Sequence, residues 1–221
     1  MEDSISADTR LALDLALTVR HDGNGGVADD LTAPGGLTAW VQGHGDLLPG
    51  ADGFVADAAT LAAVRDLRAA VRALFARAVR PDEPSPADAA RLLPVPQAVE
   101  RLNAAAALAP TVPFLAWTEG ADPVVRQQPV RGGRELTGAL ARAAVAFLAS
   151  PDRERLRACH APRCVRYFIK EHPRQEWCTP SCGNRARVAR HHERHKKSAE
   201  ASGTVKGSGR NGSPVGATGV R

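Results

Sequence analysis

Four cysteines fall within 24 residues near the end of this chain, as Cys159-x4-Cys164 and Cys178-x3-Cys182, and the remaining 197 residues contain none. Tetrahedral zinc needs four soft or borderline ligands converging on one point, and two close pairs supply them from two short knuckles. Disulfides would require an oxidising compartment, yet Met1-Glu2-Asp3 opens the chain with neither a basic n-region nor an apolar h-region. Thiols kept reduced and clustered in this way point to metal. The x4 and x3 spacings match none of the common ferredoxin runs, which argues against an iron–sulfur cluster. His160 lies beside a ligand and reads as a solvated knuckle residue, because four thiolates already complete the set.

Charge is divided sharply along the chain. Residues 1–150 hold 13 Lys/Arg against 18 Asp/Glu, whereas residues 151–221 hold 16 against 6. A polyanionic partner therefore belongs to the C-terminal part. No apolar run approaches the roughly 20 residues that span a bilayer, so a soluble protein without membrane partners is expected.

The first 150 residues read as mainly helical. Leu11, Leu15, Thr18 and Val19 follow helical spacing up to the polar run His21–Gly26, and Leu37, Trp40 and Val41 mark a short helix ending near Gly43. The clearest helix covers about 57–79, with Leu61, Val64, Val71, Leu74, Phe75 and Ala78 at three- and four-residue steps. Arg65, Asp66, Arg68, Arg72 and Arg77 are assigned mostly to its wetter side. Prolines 81, 84 and 86 stop that helix. A further helix starts at Ser85-Pro86-Ala87-Asp88 and ends before Pro94, and an alanine-rich one runs from Pro96 to Leu108. Val112–Thr118 and Val124–Val130 then form a hairpin whose second strand, with Pro129, is an edge. A last helix covers about Gly133–Ser150 and resumes briefly through Leu156.

Nothing in this region forms a catalytic constellation. Gly23-Asn24-Gly25-Gly26 lacks the lysine and hydroxyl residue of a phosphate loop. Asp14, His21 and His44 have no fixed local spacing and read as turn, cap or surface residues. A non-enzymatic protein is expected.

The cysteine segment reads as knuckle, hairpin and helix, the order of a treble-clef zinc module. Pro162 reverses the chain within the first pair. Val165–Glu171 forms a strand, His172-Pro173-Arg174 turns, and Gln175-Glu176-Trp177 leads back to the second pair. Tyr167, Phe168 and Trp177 supply a mini-core. Cys182 opens a terminal helix, and at 100° per residue Ala186 and Ala189 fall within about 40° of it. Arg187, Arg190, His191 and Arg194 occupy a connected outward arc bordered by Lys197, with Arg185 on the other flank. Such an arc suits phosphate oxygens, with some side chains in reach of bases in a major groove.

Cys182-Gly183-Asn184-Arg185, with the two cysteine pairs and the basic helix, resembles the CGNR zinc-finger family. Members of that family join a C-terminal finger to an N-terminal ABATE domain and are described as bacterial transcription regulators. Leu13-Asp14-Leu15-Ala16-Leu17-Thr18-Val19 is similar to the start of the ABATE domain, with Leu17 where many relatives carry asparagine. The resemblance implies zinc on Cys159, Cys164, Cys178 and Cys182, a DNA-binding role and a mostly helical N-terminal domain.

The expected architecture is mainly α. It comprises an ABATE-like helical domain with a β-hairpin over 1–150, a treble-clef-like finger over 156–197, and a disordered basic tail over 198–221. The expected function is zinc-dependent binding of double-stranded DNA in transcription regulation, in the cytoplasm at the nucleoid. Arg185, Arg187, Arg190, His191, Arg194 and Lys197 are the nucleic-acid contacts. The N-terminal domain would dimerise, bind a partner or sense an effector. An RNA- or ribosome-associated protein and a protein-interaction adaptor with structural zinc are the alternatives.

Overall fold

Caps and prolines punctuate the chain where its periodicity changes, and the elements follow them. A computed structural model describes residues 5–22, 26–80, 82–89, 91–130 and 136–204. Helix α1 (Ala7–Leu17) is capped by Ser6, whose side-chain oxygen accepts the Thr9 amide at 3.1 Å, and it buries Leu11, Ala12, Leu15 and Ala16. The helix ends at Leu17, two residues earlier than Val19. Thr18 and Val19 are β-branched, and Val19 enters strand β1 (Val19–His21), antiparallel to β2 (Val27–Asp29). The glycine-rich stretch 23–25 lies outside the described residues. Helix α2 (Pro34–Gln42) carries Pro34 in its first turn and ends at Gly43.

Helix α3 (Ala58–Ala78) is the centre of the molecule. Asp57 caps it by accepting the Thr60 amide at 2.7 Å. Leu61, Val64, Leu67, Val71, Leu74 and Phe75 are all buried on it. Each such side chain contributes about 1.5–3 kcal/mol of burial free energy against the entropy of ordering it. Arg68 and Arg72 are not on the wet side: they are only 6% and 5% exposed. Helical projection explains the error. With Val64 at zero, Arg68 falls at about 40°, between Phe75 and Leu61, and Arg72 at about 80°.

Helix α4 (Pro86–Ala89) is one turn long, shorter than the helix expected to reach Pro94. Residue 90 lies outside the described residues, and Leu92 to Pro94 have no helical structure. Helix α5 (Val95–Ala107) then leads into the antiparallel pair β3 (Thr111–Ala116) and β4 (Val124–Pro129). Helix α6 (Leu136–Ala149) packs on α1, α3 and α5; its expected start at Gly133 lies outside the described residues. A Cβ on Gly138 would stand 2.5 Å from that of Ala109, so α6 crosses this corner at backbone distance.

The chain then makes a 3-10 turn (Pro151–Arg155), where a helix was expected to resume, and enters strand β5 (Leu156–Ala158). Strand β6 (Tyr167–Ile169) pairs with β5 and not with Gln175–Trp177. The first cysteine pair therefore sits at the tip of a hairpin that begins before it. Alternation gives the reason. Leu156, Ala158, Tyr167 and Ile169 join the core of the helical domain, while Phe168 faces the cysteines. Phe75 of α3 meets Phe147 edge-on at 5.1 Å and Tyr167 at 5.6 Å.

Helix α7 (Pro180–Thr204) ends the described chain. Residues 198–204, assigned from sequence to a disordered tail, are helical. They contain no proline, and Ala199, Glu200 and Ala201 favour helix. The rest of the tail, with Lys206, Arg210 and Arg221, lies outside the described residues. Among the described residues no helix is long and apolar enough to cross a membrane.

Candidate metal centre and basic helix

Two local structures aim the cysteines at one another. In the first knuckle the Cys159 amide donates to the Arg166 carbonyl at 2.9 Å and the Cys164 amide to that of Ala161 at 2.9 Å. Pro162 and Arg163 occupy the central positions of the latter turn, and Arg163 has φ 62°, the one positive value at a non-glycine among the described residues. Proline followed by a left-handed residue is the type II turn, which ordinarily takes glycine at that point. In the second knuckle, Thr179 caps α7 by accepting the Cys182 amide at 3.3 Å, and Pro180 takes the first helical position.

The four sulfurs all lie within 4.8 Å of one another. Cys164 to Cys178 is 3.8 Å, Cys178 to Cys182 is 3.5 Å and Cys182 to Cys164 is 3.8 Å. A tetrahedron of thiolates about 2.3 Å from a central ion has edges of about 3.8 Å, so the donor set fits zinc in size as well as chemistry. Cys159, Cys164 and Cys182 are buried and Cys178 is partly so. Without a cation the crowded thiols oppose one another's ionisation. Hydrogen bonds from Cys164 and Cys178 hold Cys159 down at about 2, while Cys159 pushes Cys164 up to about 12 and Cys178 upward as well. A cation held among them would compensate the charge that these neighbouring thiols oppose in one another.

The residues after Cys182 do not all behave as their sequence suggests. A Cβ on Gly183 would stand 3.0 Å from Cδ1 of Trp177, so the glycine admits the indole. Asn184 is exposed, and its side chain makes no hydrogen bond to the described residues. Arg185 turns back: its Nη2 donates to Cys182 Sγ at 3.2 Å, and its Nε is enclosed without a hydrogen-bond partner. This guanidinium offsets thiolate charge. Ala186 is buried and Ala189 half-buried, while Arg187, Arg190, His191, Arg194 and Lys197 are all exposed. Arg190 Nε lies 3.4 Å from the Ala186 carbonyl and Arg194 Nε 3.4 Å from that of Arg190, so both side chains run along the helix. His191 and His195 approach at 3.1 Å between Nε2 atoms.

A second cluster, which the sequence reading missed, ties the first knuckle to the helical domain. Arg72 donates to the carbonyls of Ala16 at 2.7 Å and Val165 at 2.8 Å, and pairs with Asp88 at 2.8 Å. Its guanidinium carbon lies 5.4 Å from the centre of the Tyr167 ring. Tyr167 donates its hydroxyl to Asp88 at 3.1 Å, and the Ser85 hydroxyl donates to the Cys164 carbonyl. Beside it, Arg68 makes a bidentate pair with Asp29 at 2.6 and 2.7 Å. The available signal was the pair Arg68 and Arg72, four residues apart inside the apolar stripe of α3. His44 and Asp14, also read as unrelated polar residues, meet at 3.3 Å.

Residues 9–151 match the ABATE family, described as "Putative stress-induced transcription regulator". Residues 155–195 match the family described as CGNR zinc finger. A comparison with curated proteins gave no match.

Proposed function

Because this chain belongs to the ABATE family and continues into a CGNR zinc finger, we propose that it is a zinc-dependent, DNA-binding transcription regulator. Cys159, Cys164, Cys178 and Cys182 would hold the ion, which supplies the structural anchor of the finger. Four thiolates fill a tetrahedral sphere and leave no position for substrate, so the centre would be structural and carry out no reaction itself. Arg187, Arg190, His191, Arg194 and Lys197 contact duplex DNA, whose major groove admits a helix of this diameter. Arg185 serves the metal centre instead, as a donor to Cys182. The observation that carries this reading is the exposure of all five side chains of the arc on the helix that begins at the cysteine cluster. None of the five is ion-paired to a described acidic residue, so each is available for phosphate.

The test is competition binding with zinc-loaded protein. Sequence-selective affinity for duplex DNA, retained against excess RNA and abolished by Cys178→Ser, supports the proposal. Preference for RNA would assign the same helix to an RNA- or ribosome-associated role. Absence of nucleic-acid affinity at low salt would leave a protein-interaction adaptor.

A further inference from the structure

The largest apolar exposure among the described residues lies on the β3–β4 hairpin, on both of its faces. Register places Val112, Phe114 and Val124 on one face and Leu115 and Val125 on the other, with Trp117 just beyond β3. Leu115, Val125 and Trp117 are 59%, 67% and 70% exposed, and the first three are about half-exposed. A strand lying on a core alternates buried and exposed positions; β3 does not. A two-stranded hairpin is marginal in water by itself. Six large apolar side chains on or beside the arm thus stand 46% to 70% exposed, an apolar patch of the kind that marks an interaction site.

Backbone chemistry decides how a partner approaches. The Val130 amide donates to the Pro110 carbonyl at 3.0 Å, so even-numbered residues of the arm point their backbone groups inward. Pro113 and Pro129 therefore fall on the two outer edges, where each removes a donor from any added ladder. Extension of the sheet is blocked, and the faces remain. Because both are apolar, an arm lying flat on a partner would keep one face in water.

Charge favours a second copy. Arg126 lies midway along the arm opposite Phe114, and Glu119 and Asp122 lie at its tip. Two arms crossing over their outer halves about a two-fold axis would set each Arg126 beside the other's acidic tip, the self-complementarity that an isologous contact requires. We propose that the β3–β4 arm is a homodimerisation element, through which two copies of this chain clasp one another. The proposal is independent of DNA binding, since its readout is mass.

Sedimentation equilibrium of the full chain should give twice the 23.3 kDa monomer mass. Leu115→Asp with Trp117→Asp should yield a monomer with unchanged far-UV circular dichroism. Arg126→Glu, on an exposed side chain, should weaken association several-fold, with recovery when Glu119→Arg is added. A wild-type chain that stays monomeric at high concentration overturns the proposal. So does a dimer that survives both sets of substitutions.

Discussion

The guanidinium of Arg72, midway along α3, donates to the carbonyl of Val165 at 2.8 Å, one residue beyond Cys164. The same side chain holds Asp88 and the end of α1, so the helical core and the first cysteine knuckle share one buried charge. Replacing Arg72 by leucine leaves Asp88 buried without its cation, a change that costs about 3–5 kcal/mol. We expect the melting temperature of Arg72→Leu to fall by roughly 10 °C and zinc transfer to a chromogenic chelator to accelerate. Lowered stability with unchanged zinc release would show that the knuckle is held independently of the core.

Metal removal should be felt beyond the finger. Judged by sequence segments alone, chelation would unfold residues 156–197 and spare the N-terminal helices. Leu156, Ala158, Tyr167 and Ile169, however, complete the core around Phe75. Hydrogen exchange after chelation should therefore show reduced protection in α3 and α6 as well as in α7. Protection lost only C-terminal to residue 155 would restore the independent-finger picture.

The Arg68–Asp29 pair predicts an acid dependence. Burial raises the Asp29 carboxyl, but the hydrogen bonds from Arg68 and from the Leu31 amide outweigh it and hold the group below its ordinary value of 3.8. A depressed carboxyl stabilises the fold above its unfolded value and loses that contribution as pH falls through the lower folded one. Asp29→Asn should cost about 2 kcal/mol at neutral pH. The difference between wild type and variant should shrink as pH falls below 3.8 and vanish once pH has passed below the lower folded value. A difference independent of pH would assign the loss to packing instead.

Arg163 holds a left-handed conformation at φ 62°. Such a conformation costs an L-residue roughly 1–2 kcal/mol, and glycine adopts it freely. Arg163→Gly should raise thermal stability slightly and leave zinc stoichiometry at one ion per chain, measured by calorimetry and metal analysis. Destabilisation would indicate that the Arg163 side chain makes a contribution larger than the relieved strain.

On α7, Arg187→Ala and Arg190→Ala should each reduce the slope of log affinity against log salt by about one, with zinc content unchanged. Equal slopes in both variants and wild type would remove this arc as the phosphate-contacting surface.

Some of this protein could be read from sequence because the physics is local. Ligand spacing marks Cys159, Cys164, Cys178 and Cys182, helical projection turns Ala186 inward and Arg190 outward, and three- and four-residue apolar steps from Leu61 to Ala78 mark α3. A turn needs only its own residues, so the β3–β4 hairpin was visible too. The tertiary structure alone decided the rest. Strand β6 could pair forward or backward, and the choice of β5 follows from a core into which Leu156 and Tyr167 fit. Arg68 and Arg72 looked solvent-facing because charge is costly to bury unless a partner is present. Their partners, Asp29, Asp88 and the carbonyls of Ala16 and Val165, come from segments distant in sequence. A buried charge is tolerated only where such groups converge, and that convergence is a property of the folded chain.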